Sequence, residues 1–376
     1  MSKLKLMFFV NGTQGSAAAV RAQMFAQQLP SEWEICFNYR PVRKWKGILP
    51  FIQSALRFRP DIIYVMDTAY TGVLAGYISK KLTGCKLVTD TGDVAFELAK
   101  SSGTYSAKQL ALINWIEEMA LKNSDCMVVR GSYHKTLLET QGVSKVVFIP
   151  DGVDTSAAKP VDATDLRNEL GLDNHLVVGL VGTMIWSERH QMCYGWDVVE
   201  ALGLLKDVPV KALLVGDGDG RAILERRAQE LGVSDRIVFT GQLPYDDLAR
   251  YLCAMDVCVS TQSNDLVGRV RTTGKLPLYL AYGNYIIATD VGEASRVLPG
   301  VGYLLPYEGV RDDSHPARLA TQLRKLTAEP KLLQTAEKAR EIARKNFDYT
   351  MLTKRVEKLC QELVCMEPQG SSVVAP

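Results

Sequence analysis

SNDLVGRVRTTGKLPLYLAYGNYIIATDVGEA, residues 263–294, is the stretch whose reading decides the fold. An apolar helical run leads straight into Tyr285-Ile286-Ile287-Ala288-Thr289-Asp290, which has the make-up of a buried parallel strand. Three cations, Arg269, Arg271 and Lys275, stand just before the helix. A helix N-terminus at the carboxyl end of a parallel sheet gathers unpaired N–H groups and the positive end of the helix dipole, so it attracts anions. Arg offers phosphate oxygens a planar fork, and Lys offers a movable point charge. The stretch reads as a diphosphate grip, and no carboxylate lies between Asp265 and Asp290.

Outward from this stretch, strand and helix patterns alternate along nearly the whole chain, which implies parallel sheets with crossover helices. The first half predicts strands at Leu4–Val10, Glu34–Phe37, Asp61–Met66, Lys86–Thr89, Cys126–Val129 and Val146–Ile149. Helical patterns fall between them at Ala17–Leu29, Gly72–Leu82, Ala107–Lys122 and Tyr133–Gln141. The polar stretch Asp154–Thr164 reads as a link, after which the alternation resumes with strands Leu176–Val181, Val210–Val215, Ile237–Thr240 and Val257–Ser260. The fold class is therefore α/β, with two doubly wound Rossmann-like domains facing across a cleft. The boundaries are 1–150, 151–345, a helix over 346–365 that follows the second domain, and a frayed tail at 366–376. Ligands in such sheets bind beyond the carboxyl ends of the strands.

Composition narrows the classes. The chain has 376 residues, 44 Lys and Arg against 42 Asp and Glu, and 47% apolar residues, a profile that argues against a nucleic-acid binder. No run approaches the length of a membrane span, and the opening residues are too short for a signal peptide. The eight cysteines lie mostly in apolar patterns without CxxC pairing, so they read as buried reduced thiols in a cytoplasmic protein that holds no metal.

Five loops at strand ends carry candidate chemistry. Asn11–Ala17 holds Gly15 and Ser16, which either admit a phosphate to the helix start or make a plain turn. Asp90 and Asp93 either orient a hydroxyl at the cleft mouth, or cap a helix and sit in solvent. The long loop after Val181 carries Gly182, Thr183, Trp186, Arg189 and His190. Gly216-Asp217-Gly218-Asp219-Gly220 lacks the length and closing Glu of a calcium loop and reads as a tight strand-to-helix turn. Gly241-Gln242-Leu243-Pro244 would set backbone groups beside a flat ring.

Four segments occur in the order seen in retaining GT-B glycosyltransferases of family four, which the chain resembles over nearly its whole length. They are Ile149–Asp154, Leu213–Gly218, Phe239–Pro244 and Ala281–Gly292. The resemblance implies a nucleotide-sugar donor, UDP- or GDP-linked, on the second domain. It also implies an acceptor on the first: a glycan, a lipid-linked molecule or a small molecule. The base would lie against Gly241, Gln242 and Leu243, and the diphosphate near Arg269, Arg271, Thr273, Gly274 and Lys275. Gly182, Thr183 and Gly216 would line the donor, Gly15 and Ser16 would approach from the other domain, and the last helix would cross back to the first. The implied activity is retaining, hexosyltransferase-type transfer without a cofactor or metal. In it Arg271, Lys275 and Arg189 clamp the departing diphosphate while Asp93 orients a hydroxyl.

The chain departs from the family at several of these positions. Two glutamates usual in the family fall on Val270 and Leu278, and the usual Arg and Lys of the second domain fall on Thr183 and Tyr194. The family's His-Asp pair appears as Gly92-Asp93. A carboxylate on both ribose hydroxyls is worth about 1.5–3 kcal/mol, so its loss at Leu278 weakens nucleotide binding. The alternative function is a catalytically silent or partner-dependent nucleotide-sugar binder. A GT-B epimerase is a third reading, disfavoured because acidic and histidine groups are scarce. Finally, the basic and aromatic segment Tyr39–Arg59 reads either as a peripheral membrane contact or as an ordinary helix with snorkelling cations, the second being preferred.

Overall fold

The computed structural model describes residues 3–365. The tail expected at 366–376 lies outside the described residues. The first sheet comprises β1 (Lys5–Val10), β2 (Glu34–Tyr39), β3 (Ile62–Met66), β4 (Lys86–Thr91), β5 (Cys126–Val129) and β6 (Val146–Phe148). Its helices are α1 (Ala17–Ala26), α2 (Ile48–Phe58), α3 (Tyr70–Thr83), α4 (Ala95–Ser102), α5 (Ala107–Asn123) and α6 (Ser132–Thr140). The second sheet comprises β7 (Leu176–Val181), β8 (Val210–Val215), β9 (Ile237–Gly241), β10 (Val257–Ser260), β11 (Tyr285–Thr289) and β12 (Gly302–Leu305). Around it run α7 (Thr164–Glu169), α8 (Trp196–Gly203), α9 (Arg221–Leu231), α10 (Leu248–Ala254) and α11 (Leu266–Arg269). They are followed by α12 (Lys275–Tyr282), α13 (Glu293–Val297), α14 (His315–Ala328), α15 (Ala336–Asn346) and α16 (Tyr349–Cys365).

Both sheets are parallel. Their strand orders are β2-β1-β3-β4-β5-β6 and β12-β11-β10-β7-β8-β9. Winding reverses between β1 and β3 in one sheet and between β7 and β10 in the other, and a crevice opens at such a switch point. The loops after β1, β7 and β10 therefore define where a ligand meets each domain.

Burial on both faces explains the uninterrupted apolar strands. Along β1, Leu6, Phe8 and Val10 pack with α1 and α16, whereas Met7 and Phe9 face α2, α3 and α5. In the second sheet Val178 and Leu180 join α8 and α14, while Val177 lies with α10 and α12 on the other face. α16 returns to the first domain, where Tyr349, Leu352, Val356 and Leu359 complete the core beside α1. Its start is tied to the link by Val153 N–H donating to Phe347 O at 2.9 Å and Tyr349 N–H donating to Val153 O at 3.2 Å.

Three short helices, α4, α7 and α11, are absent from the sequence pattern. α11 forms because Asp265 Oδ1 accepts the Gly268 N–H at 2.9 Å and caps a single turn. Arg269 thus ends α11, and Lys275 is the first residue of α12. No disulfide forms among the described residues; Cys365 is exposed, and the other cysteines are buried or half-buried. No helix among them is long and apolar enough to cross a membrane.

Candidate functional site

The loops after β7 and β8 meet through glycine. A Cβ at Gly216 would collide with the Gly182 carbonyl, and Gly216 adopts a φ of 131° that side chains disfavour. This close approach shapes a cavity of about 380 Å³ lined by Gly182, Thr183, Gly216, Asp217, Gln242 and Leu243. Gly241 sits at its back, accepting the Gly216 N–H at 3.0 Å. Val181, Val215, Leu243 and Pro244 give it apolar walls beside the glycine backbone, which suit a planar ring.

A second cavity, also about 380 Å³, is lined by Tyr194, Asp197, Thr261, Arg271, Thr273 and Tyr307, among others. The Thr273 hydroxyl is buried and has no partner among the described residues. Lys275 stands between the two cavities. A Cβ at Gly182 would lie 2.8 Å from Lys275 Cε, and Lys275 Nζ is 3.4 Å from the Tyr194 ring centroid. Tyr194 is where the resemblance places a lysine, so an ammonium is kept beside this position but comes from α12 instead. Burial pulls the Lys275 ammonium below the ordinary lysine range, and Arg271 adds to the effect. An arriving anion would reverse both influences.

Arg271 reaches across the cleft: its Nε donates to Asp93 Oδ1. Asp93 Oδ2 accepts no hydrogen bond among the described residues. Asp93 is thus a partly exposed carboxylate that forms one side of an interdomain ion pair.

Asp90 differs from both sequence readings. It is fully buried, accepting from Arg21 Nε at 3.1 Å, Arg130 Nε at 2.8 Å and the Tyr64 hydroxyl at 3.1 Å. Burial would raise its pKa, but the two guanidinium groups outweigh that and hold it below the usual carboxylate range. The network also engages Asp67, which accepts from Arg130 at 2.6 Å, and it braces the ends of β3, β4 and β5 beneath the cleft. It faces no cavity. Removing one partner of such a buried pair costs about 3–5 kcal/mol.

Several other predicted residues lie apart from the two cavities. Arg189 is exposed and donates to the Lys100 carbonyl at 2.8 Å at the end of α4, with His190 Nε2 3.2 Å from the Ser101 carbonyl oxygen. The loop therefore clasps the first domain, and Arg189 does not line either cavity. Arg269 points away from Arg271, into a third cavity of about 630 Å³ with Asn264, Asp290 and Arg296. Leu278 packs into the second domain's core. Val270 is fully buried beneath Gly131, where a Cβ would collide with the Val270 carbonyl. Ser16 accepts the Ala19 N–H at 3.3 Å as the cap of α1, whereas Gly15 is exposed with open space where a Cβ would stand. Gly274 precedes α12 and is likewise open. Asp219 accepts the Trp186 N–H at 2.8 Å and so shapes the β7 loop from the β8 turn.

Sequence reasoning missed the seam that closes one end of the cleft. Glu293 on α13 is buried and accepts the Ser132 N–H at 2.6 Å, capping α6 from the other domain. Thr272 donates its hydroxyl to the Arg130 carbonyl beside it. Asp197 was missed as well, because nothing in its helical spacing marks the buried end of α8.

Residues 175–329 match the family described as glycosyl transferases group 1. Most of the second domain is thus similar to that family. 2-deoxystreptamine glucosyltransferase of Streptomyces kanamyceticus is 28% identical over 223 residues that cover 56% of each chain. N-acetyl-alpha-D-glucosaminyl L-malate synthase of Bacillus anthracis is 24% identical over 85% of this chain and 79% of its own. The chain thus spans little more than half the length of the first of these relatives. Among solved structures, Anabaena Alr3699/HepE in complex with UDP-glucose superposes with a TM-score of 0.76, at 17% identity over 96% of this chain and 100% of that one. WaaG, a glycosyltransferase of lipopolysaccharide biosynthesis, gives 0.68 at 14% identity over 94% and 99%. With two parallel six-stranded sheets in the orders above, the fold is GT-B.

Proposed function

We propose that the chain transfers a hexose from a nucleoside-diphosphate sugar to an acceptor hydroxyl, with retention at the anomeric carbon. The observation that carries this reading is the position of Lys275, whose Cε lies against Gly182 of the first cavity and whose ammonium lies over Tyr194 of the second, with Arg271 bordering the second. The base would occupy the first cavity, the diphosphate would meet Lys275, Arg271 and the start of α12, and the hexose would enter the cavity beside Thr273. UDP, which the HepE structure contains, is the first nucleotide to test, followed by GDP.

In the transfer, the acceptor oxygen bonds to the anomeric carbon as the bond from that carbon to the diphosphate oxygen breaks. The bonding pair leaves with the diphosphate, which takes the acceptor's proton on the same face. Lys275 and Arg271 stabilise the growing negative charge, and the free Oδ2 of Asp93 is placed to orient a hydroxyl. On this reading the two cations supply the charge stabilisation, and no metal is invoked. Arg189 has no part in this clamp, since α4 engages it.

A second reading, a nucleotide-sugar binder without turnover, is favoured by the buried Val270 and the partly buried Leu278 at the positions of the family's glutamates. Both readings are tested by release of nucleotide from UDP- and GDP-sugars, with and without a panel of acceptor alcohols. Lys275→Ala is expected to lower transfer at least roughly tenfold, the size typical of one preorganised charge contact. Unchanged turnover in that variant would remove Lys275 from the clamp; tight binding with no release in the wild type would sink the transferase assignment and establish the second reading.

A further inference from the structure

The helices over one face of the first sheet carry an outer surface that the transfer reaction does not use. α2, α3 and α5 bury Phe51, Ala55, Val73 and Ile116 against that sheet. A surface helix ordinarily turns polar residues outward. Here the outward positions include Val42 at 87%, Trp45 at 65%, Leu49 at 62% and Leu82 at 59% exposure, with Leu56 and Trp115 also exposed. Leu49 and Leu56 are two helical turns apart, so they share the side of α2 opposite Phe51 and Ala55. The segment before α2 is braced: Thr71 donates its hydroxyl to the Lys44 carbonyl at 2.8 Å, and Pro41 and Thr71 crowd Gly47. Trp45 is held outward by a fixed backbone.

Around Val42, Trp45, Leu49 and Leu56 the charge is of one sign, whereas Glu118 follows Trp115 on α5 and Lys80 on α3 pairs with Asp125 at 2.8 Å. Between Glu34 and Asp61 there are six cations, Arg40, Arg43, Lys44, Lys46, Arg57 and Arg59, and no carboxylate. α3 has none either and adds Lys80 and Lys81. Cations alone would suit any polyanion. Cations interleaved with exposed Trp, Leu and Val suit a surface that is anionic at its face and apolar beneath, where Trp rests at headgroup depth and Lys and Arg stems extend upward.

We infer that this face docks on a bilayer containing anionic lipids. The loop after β2 lies at the carboxyl edge of the sheet, so Val42 and Trp45 sit on the rim of the interdomain cleft. Docking there brings the cleft to the headgroups, and on the transferase reading it favours a lipid-linked acceptor. The preference stated from sequence, an ordinary helix with snorkelling cations, is thereby reversed, because the apolar side chains are exposed along with the charges.

The test is flotation of the full chain with vesicles of phosphatidylcholine alone, or with roughly a third phosphatidylglycerol, at physiological ionic strength. The bound fraction is expected to be at least about tenfold higher on the anionic vesicles. Lys44→Glu with Lys46→Glu should abolish it, and Trp45→Ser with Leu49→Ser should reduce it at least about fivefold. Thermal melts matching wild type would show that both double variants fold, since none of the four side chains belongs to the core. Equal binding to neutral vesicles, or undiminished anionic binding by the serine variant, would overturn the inference; the latter would mark a general polyanion surface. Flotation needs no turnover, so its failure is distinct from failure of the transferase reading.

Discussion

Asp197 lines the cavity that Arg271 and Thr273 border, Lys275 stands beside it over Tyr194, and both are pulled toward neutrality by the same cause, removal from water. Burial pushes the Asp197 carboxyl up to about 7, against the opposing hydrogen bond from Thr261 and the charge of Arg311. The unfolded chain titrates this group near an ordinary aspartate value. Between about pH 4 and 7 the folded state therefore binds more protons than the unfolded state. Stability from this group is complete at low pH and is lost as pH rises through about 7, by an amount on the order of a few kcal/mol. His134 and His315 work in the opposite direction: burial lowers both to about 4, so their contribution fades as pH falls below the usual histidine range. Asp197→Asn keeps an acceptor for Thr261 and leaves both histidines unchanged. Denaturant unfolding at pH 5 and pH 8 should show the variant gaining a few kcal/mol relative to wild type at the higher pH. An identical pH dependence in the two proteins would remove Asp197 as the cause.

At the scale of elements, α16 joins the two halves of the chain, and its first turn depends on one carboxylate. Asp348 Oδ1 accepts the Thr350 N–H at 2.8 Å, while Oδ2 accepts the Thr155 N–H at 3.2 Å and the Thr155 hydroxyl. Asp348→Ala removes a helix cap and the anchor of the interdomain link together. The expected loss is about 1–2 kcal/mol, read by calorimetry as a fall of several degrees in Tm. A Tm within a degree of wild type would mean that the apolar face of α16 suffices alone. Elements of this kind differ in how plainly the sequence declares them. β1, β3, β11 and α16 follow from apolar periodicity because each meets the core along its whole length. α4 and α11 are one or two turns long, and one-turn helices set by a single cap leave no period to detect. The same holds for the site. Arg271 and Lys275 could be singled out because their setting is local, a loop entering a helix. Asp90 could not, because its partners Arg21 and Arg130 lie 69 and 40 residues away.

For the molecule as a whole, the seam formed by Glu293, Thr272 and Arg271 against the first domain decides how the cleft is held. Each member crosses from one sheet to the other: Glu293 to the Ser132 N–H, Thr272 to the Arg130 carbonyl, and Arg271 to Asp93. Gly131 allows the close approach, since any side chain there would meet the Val270 backbone. Glu293 is nearly inaccessible to solvent, and its other oxygen is taken by Arg296 at 2.8 Å. Glu293→Ala would leave the first turn of α6 with an unmet N–H and Arg296 without its partner. A charge-assisted contact of this kind contributes about 1.5–3 kcal/mol, a large share of what holds two domains of marginal stability in one arrangement. The alanine variant should split a single calorimetric transition into two and speed amide exchange at Ser132–Lys135. Glu293→Gln keeps an oxygen for Ser132 and should recover most of both. If the alanine variant melts as one unit with unchanged exchange, the packing of Val270 against Gly131 holds the domains, and the position of Asp93 beside Arg271 is set by shape instead of by the seam's polar contacts.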